Sequence, residues 1–378
     1  MHQRTAVGLL TLLATTGHAQ RVIPIRQVVT DARTQAPFFA VSGVRELRDG
    51  RLLVNDRGSK RLLVLDRTFT QQTITADSTG HPAPFPANRG SPFVAFSGDS
   101  TLITDDASTS FVVLDPQGRP ARAMAIPVTA HYNVIASPNS SGIDARGRLL
   151  YQEAMRLRIG PRRGDEPVQD SLAILRANFE TRTFDTVARI RIQSQPPSSL
   201  TTDPTGRITG SSMTLNPLGA AIDAWTVTSD GRIAIVRGHD YHIDWIDGDG
   251  SRRSTPKLPF DWRRLTDDDK QKKIDSAKGI VDAERARGGY KLRSCPVGES
   301  DAAGAGGTGR GGGRDTNGMR PGADPRCVLL DIDVKFAALA EMGDYIPPIR
   351  ANAVLADRDG NVWIVPTTSL QARGGLLY

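Results

Sequence analysis

Apolar residues in this chain arrive in runs of four or five, and each run is closed by a short Asp-Gly or Gly-containing turn. One copy spans Val41 to Asp66. Asp49-Gly50 turns the chain into Arg51-Leu52-Leu53-Val54-Asn55-Asp56, and a polar loop leads to Arg61-Leu62-Leu63-Val64-Leu65-Asp66. A second copy turns at Gly98-Asp99-Ser100 and continues through Thr101-Leu102-Ile103-Thr104 and Phe111-Val112-Val113-Leu114. Further copies turn at Arg146-Gly147, Asp230-Gly231 and Asp359-Gly360, each followed by an apolar strand. Runs without polar alternation predict strands buried on both faces, as between stacked sheets, whereas the strands of a sandwich would alternate. Two-residue turns built on Asp-Gly predict type I′ hairpins, in which both central residues take positive φ.

The turns fall at positions 50, 100, 147, 231 and 360, with steps of 50, 47, 84 and 129. The first steps match one four-stranded blade of a propeller, and the longer ones imply insertions. Val54-Asn55-Asp56-Arg57-Gly58-Ser59-Lys60-Arg61-Leu62 and Asp359-Gly360-Asn361-Val362-Trp363-Ile364-Val365 resemble the NHL-type repeat of six-bladed propellers. More loosely, the pattern is similar to TolB-like and gluconolactonase-like propellers. The resemblance covers residues 40 to 258 and 350 to 378. It implies an all-β, six-bladed β-propeller and leaves activity open, since propellers host many functions. Val22 to Val29 is placed to pair with the last blade, and Arg373 to Tyr378 reads as a third strand. The expected organisation is therefore blades one to four over 20–258 with the N-terminal closing strand, an insertion over 259–345, and an incomplete fifth blade over 346–378, the chain being truncated in or after that blade.

Within the insertion, Thr266 followed by Asp267, Asp268 and Asp269 predicts a capped helix with Ile274, Ala277 and Val281 on one face, stopped by Gly288-Gly289. The helix is mostly charged and reads as a solvated surface helix. Asp301 to Arg326 is rich in Gly, Ala and Arg, too poor in apolar residues to order itself. Its Gly304-Ala305-Gly306-Gly307-Thr308-Gly309 run matches a dinucleotide fingerprint only formally, because no strand precedes it and no helix follows. Outer-to-inner connections leave a propeller at the channel mouth, so the insertion is expected to overhang it, with Phe260, Trp262, Tyr290 and Tyr345 packing on the blade edges or lining a pocket.

Composition adds compartment and excludes some partners. The 378 residues carry 48 Lys and Arg against 41 Asp and Glu, a net charge of +7, with 38% hydrophobic and 24% charged residues. These are the proportions of a globular protein, and no apolar run is long enough to span a membrane. The excess charge is spread thinly, which argues against a nucleic-acid partner. Arg4, the apolar stretch Ala6 to Thr15 and the small residues of Gly17-His18-Ala19 form a signal-peptide pattern over residues 1–19, predicting a periplasmic or secreted protein. Export permits a bridge between Cys295 and Cys327, which bracket the Gly/Arg-rich stretch, and two thiols are too few for a CxxC-type zinc site.

Counting from each turn places Asp56, Asp106, Glu153 and Arg237 at the channel mouth, with His239 beside them, as a binding face. At the starts of the inner strands lie Ser42, Pro92, Asn139, Asp223 and Asn352. Oxygens in a ring suit a hard cation such as Ca²⁺. Gluconolactonase-like propellers hold a catalytic metal with a Glu, Asn, Asn, Asp set, and that similarity implies Asn139, Asp223 and Asn352 as ligands here. Ser42-Gly43-Val44-Arg45-Glu46 stands where that family presents its first ligand. No G-x-S-x-G elbow, Walker loop, H-E-x-x-H or EF-hand loop is present. The favoured reading is an exported, monomeric, non-catalytic propeller that binds a protein or small ligand at its insert-covered face. The alternative is a metal-dependent hydrolase or lactonase with the Asn/Asp ring.

Overall fold

The computed structural model describes residues 26–27, 34, 37–88, 90, 92–137, 141–155, 168–194, 198–295, 326–367 and 376–377. The segment 1–19, Asn139 and the stretch 301–325 lie outside the described residues.

Strand β1 (Arg26–Gln27) precedes the first sheet, made of β2 (Val41–Glu46), β3 (Leu52–Asp56), β4 (Arg61–Leu65) and β5 (Gln72–Asp77). The second sheet follows as β6 (Val94–Ala95), β7 (Thr101–Asp105), β8 (Ser110–Leu114) and β9 (Pro120–Ala125). After the short helix α1 (Tyr132–Ile135) comes the third, β10 (Ser141–Ile143), β11 (Leu149–Gln152), β12 (Ser171–Ala177) and β13 (Phe184–Arg191). A hairpin, β14 (Ser198–Thr202) and β15 (Ile208–Leu215), separates it from the fourth sheet, β16 (Ala224–Val227), β17 (Ile233–Arg237), β18 (His242–Ile246) and β19 (Arg252–Ser254). Helix α2 (Asp267–Ala286), β20 (Lys291–Ser294) and β21 (Val328–Phe336) come next, then a fifth, two-stranded sheet, β22 (Val354–Ala356) and β23 (Val362–Ile364). Strand β24 (Leu376–Leu377) pairs antiparallel with β1, Arg26 opposite Leu377.

Sheets one to four are antiparallel meanders in chain order. The first strands of sheets two to five stand side by side, β6 against β10, β10 against β16 and β16 against β22, as in neighbouring blades of a propeller. The uninterrupted apolar runs have a direct cause. In β11 and β12, Leu149, Tyr151, Ala173 and Leu175 pack against Leu102 and Phe111 of the second sheet. The intervening Leu150, Leu172 and Ile174 pack against Trp225, Ile233 and Ile235 of the fourth. Successive side chains point to opposite faces, and both faces are covered. Burying each such side chain is worth about 1.5–3 kcal/mol, so the middle strands of the blades dominate the core. A sixth blade is not among the described residues.

The turns between first and second strands gather at one end, here the turn end. They differ from the type I′ expectation. Gly50, Gly147, Gly231 and Gly360 have φ of 84°, 76°, 81° and 83°, but the residue before each has a negative φ. Only the second sheet's turn has two successive positive values, at Gly98 and Asp99. In the third and fifth sheets the unit is D-x-x-G-x, a turn closed by its first residue, whereas the turns of the first and fourth sheets open on Leu47 and Thr228. Asp144 Oδ1 accepts from the N–H groups of Arg146 and Arg148, both at 2.9 Å. Asp357 does the same for Asp359 and Asn361 at 2.9 and 2.8 Å. An Asp at the first position satisfies two turn amides, so a single left-handed residue is enough.

The opposite end, the loop end, carries the insertions, and there are two of them. Residues 198–215, which the sequence places among the blades, leave the third sheet and join the later insertion. Together they form a mixed sheet in the order β14-β15-β21-β20, with β15 and β21 parallel. Leu218 from the first insertion packs with Leu265, Ile274, Ala337 and Met342 from the second. Helix α2 begins at the predicted capping box, Thr266 with Asp269. It is more than a solvated helix, because Lys270, Ile274 and Val281 are buried. Lys270 Nζ donates to the carbonyls of Leu339 and Met342 at 3.3 and 3.2 Å and pairs with Asp344 at 2.9 Å. Cys295 and Cys327 are bonded, joining the ends of β20 and β21.

Candidate functional site

Each inner strand begins at the loop end, and each second strand finishes there, where the residues of the expected binding face lie. Its residues are engaged differently from the expectation of an open binding ring. Asp56 ends β3 fully buried, and its carboxylate accepts from the N–H of Ala40 at 3.0 Å and of Phe39 at 3.2 Å, and from Arg61 at 3.2 Å. Burial would raise its pKa, but the bonds from Ala40, Ser59, Arg61 and Phe39 outweigh that and hold it well below the usual carboxylate range. Asp106 accepts from the phenol of Tyr132. Glu153 Oε2 accepts from Ala173 N–H at 3.1 Å.

Arg237 lies between two carboxylates, 2.7 Å from Asp223 and 2.7 Å from Asp244. Burial works against its charge, yet the bonds to Asp244 and Asp223 hold its pKa above the ordinary arginine value. Ser254 and His242 also bond Asp244, so the upper edge of the fourth sheet is a closed polar network. Of the five residues assigned to the binding face, only His239 projects into solvent, its side chain 72% exposed beside Asp240 at 3.5 Å.

Asp223, one of the three implied metal ligands, is engaged by protein donors. Asp223 accepts from Arg191 N–H at 2.9 Å, from Gly238 N–H at 3.1 Å and from the Arg237 guanidinium, which leaves a cation to compete with a fixed positive charge. Asn352 is exposed in a turn with φ of 61°, and Asn139 is outside the described residues. Among the described residues, no three His, Cys, Asp or Glu side chains are grouped to hold a metal ion.

The loop end offers something the sequence reading left undivided between packing and pocket. Tyr241, buried in the fourth sheet, begins a string of edge-to-face rings through Phe260, Trp262 and Tyr345, with centroids 5.5, 5.0 and 6.2 Å apart. Phe260 packs on the blades, while Trp262 and Tyr345 are 42% and 44% exposed. Arg264 pairs with Asp344 at 3.2 Å beside them, and the backbones of Arg264 and Tyr345 bridge. The string thus ties insert to blade and leaves two large rings in solvent. A second cluster joins the second and third sheets, where His131 Nδ1 lies 2.7 Å from the Tyr151 hydroxyl and its ring stacks edge-on against Phe184 at 4.6 Å. Burial pushes the Tyr151 phenol up to about 12, so it serves as a neutral hydrogen-bonding group. The one sequence signal of the first insertion was the 84-residue step between turns 147 and 231.

No family model matches this chain, and no curated protein matches it. Solved structures do. A streptogramin B lyase is 11% identical, covering 90% of this chain and 79% of that one with a TM-score of 0.31. A calcium-binding regucalcin from Agrobacterium tumefaciens is 13% identical over 59% and 76% of the two chains, with a TM-score of 0.26. A gluconolactonase from Xanthomonas campestris is 12% identical over 60% and 78%, with a TM-score of 0.25. Likeness this loose does not bear on function.

Proposed function

We propose that this chain is an exported, non-catalytic propeller-type protein that binds a protein partner at its capped loop end. One observation carries the reading: the exposed Trp262–Tyr345 pair, held edge-to-face at 6.2 Å on a rigid junction between blade and insert. Trp, Tyr and Arg are the residues that anchor interfaces, because they bring large area at low entropic cost. Arg263 and Arg264 flank the pair, with side chains 70% and 75% exposed, and supply a polar rim. The polar residues of the mouth are spent on internal bonds, which supports a scaffold that presents a surface rather than reacting groups. The bond between Cys295 and Cys327 supports an oxidising compartment, as does the N-terminal signal-like pattern.

The test is affinity capture on immobilised full-length protein, comparing wild type with W262A/Y345A after matching their melting temperatures and circular dichroism. A partner lost from the double variant and restored by W262F/Y345F supports the reading. An identical partner set from wild type and W262A/Y345A removes the aromatic pair from function.

A further inference from the structure

We propose that the seam between the first and fifth sheets, at the turn end, binds a small multivalent oxyanion. The inference is independent of the loop-end reading. A shallow, solvent-open pocket of about 320 Å³ lies at this seam, lined by Arg48, Asp49, Gly50, Arg67 and Arg358. The three arginines come from three different turns: β2 to β3, β4 to β5, and β22 to β23.

Three arginines stand here against one lining acid, Asp49, with Glu46 and Asp359 beside Arg358. Arg358 reaches across the seam to Glu46 at 2.8 Å and donates to the carbonyls of Leu47 and Arg48, both at 3.4 Å, with Asp359 at 3.6 Å. Asp49, the one acid in the lining, is turned to Arg51, whose Nε is 2.7 Å from Oδ2 and whose N–H is 3.1 Å from Oδ1. Arg67 Nε donates to the backbone carbonyl of Asp49, which lays its guanidinium along the turn. Gly50 permits this, since a Cβ there would meet Arg67 Nε at 3.1 Å. Arg48 and Arg67 therefore face the cavity with no carboxylate at ion-pair distance among the described residues.

Arg48 and Arg67 keep donors free of ion pairs on the same pocket, and an oxyanion that accepts from both would add to the single charge that Asp49 supplies there. No aromatic or aliphatic side chain lines the space, so charge rather than apolar contact would hold the ligand. The volume lies at the small end of ligand pockets, which fits a compact polycarboxylate or phosphate compound.

The experiment is calorimetric titration and thermal unfolding of the full chain with citrate and, separately, with pyrophosphate, each against sodium chloride at matched ionic strength. The expected result is saturable one-to-one binding by at least one anion. R48S and R67S should each weaken it at least tenfold, and R48S/R67S should abolish it. The citrate and pyrophosphate arms tell carboxylate from phosphate recognition. Because the Arg48 side chain makes no internal bond among the described residues, R48S should keep the ligand-free melting temperature. The proposal is overturned if neither anion stabilises the protein beyond the chloride control, or if R48S/R67S binds as wild type does.

Discussion

At the turn end, Asp144 and Asp357 bond amides two and four residues further along the chain. At the loop end, Asp56 bonds amides 16 and 17 residues away, and Asp223 bonds one 32 residues away. The same carboxylate thus does two jobs. In the turns of the third and fifth sheets it closes a unit complete within a few residues of chain. At the loop end it fastens a connecting segment to a blade: Asp56 holds the segment entering the first sheet, and Asp223 reaches back to the last strand of the third. That frees the rest of the connection to grow, and both insertions grow there.

The contrast is broken or sharpened first by comparing the two kinds of aspartate. Asp56→Ala strips a buried site of its charge and leaves Arg61 unpaired, and should cost about 3–5 kcal/mol in urea unfolding. Asp115→Ala, in the third-to-fourth turn of the second sheet, loses bonds to Gln117 and Arg119 N–H and should cost about 1 kcal/mol. Equal losses would end the distinction.

Turn glycines give the next largest effect. Gly231 and Gly147 occupy the same position in their blades, with φ of 81° and 76°. A Cβ on Gly231 would meet Ala145 N at 2.1 Å, while one on Gly147 meets nothing within 4 Å. Gly147→Ala should cost about 1–2 kcal/mol for its left-handed backbone. Gly231→Ala adds overpacking of about 1–3 kcal/mol, and the difference is read from paired denaturant curves.

Ile274→Ala removes a side chain from the small core shared by the two insertions and should cost about 2–3 kcal/mol. Hydrogen exchange should speed up in α2 and β21 while the blades keep their protection. Uniform loss of protection would mean that insert and blades unfold as one unit.

Acid acts on both ends with smaller effect per group. Asp203 is held below the ordinary carboxylate range by the Thr205 hydroxyl. Burial would raise Asp357, but bonds from Asn361 and Trp363 lower it, and those from Ser254 and Arg237 likewise lower Asp244 against burial. These groups take up protons more readily when unfolded. The stability they supply is complete above about pH 4 and is lost as pH falls through the folded-state values. Circular dichroism between pH 6 and pH 2 should show a flat stretch and then a decline, shallower in Asp357→Ala.

Blade positions, the Thr266 cap and the helix it starts were legible in the sequence because each is signalled within a few residues. The Ser- and Thr-rich strands β14 and β15 were not, since they lack an apolar pattern and their sheet is completed by a partner more than a hundred residues later. For the mouth residues the sequence supplies a position along a strand, which does not tell whether a carboxylate is free. For Asp56 and Asp223, that depended on where Ala40 and Arg237 came to rest.

What the chain determines alone is local: uninterrupted apolar runs that bury both faces of a strand, an aspartate that closes its own turn, a threonine that starts a helix. These follow from bonds and dihedral preferences spanning four or five residues. Which amides Asp56 reaches, why Gly231 tolerates no side chain when Gly147 has room, and how three arginines from separate turns share one cavity were decided only by the tertiary structure. Desolvation and charge compensation depend on every neighbour in space, and the neighbours are supplied by packing.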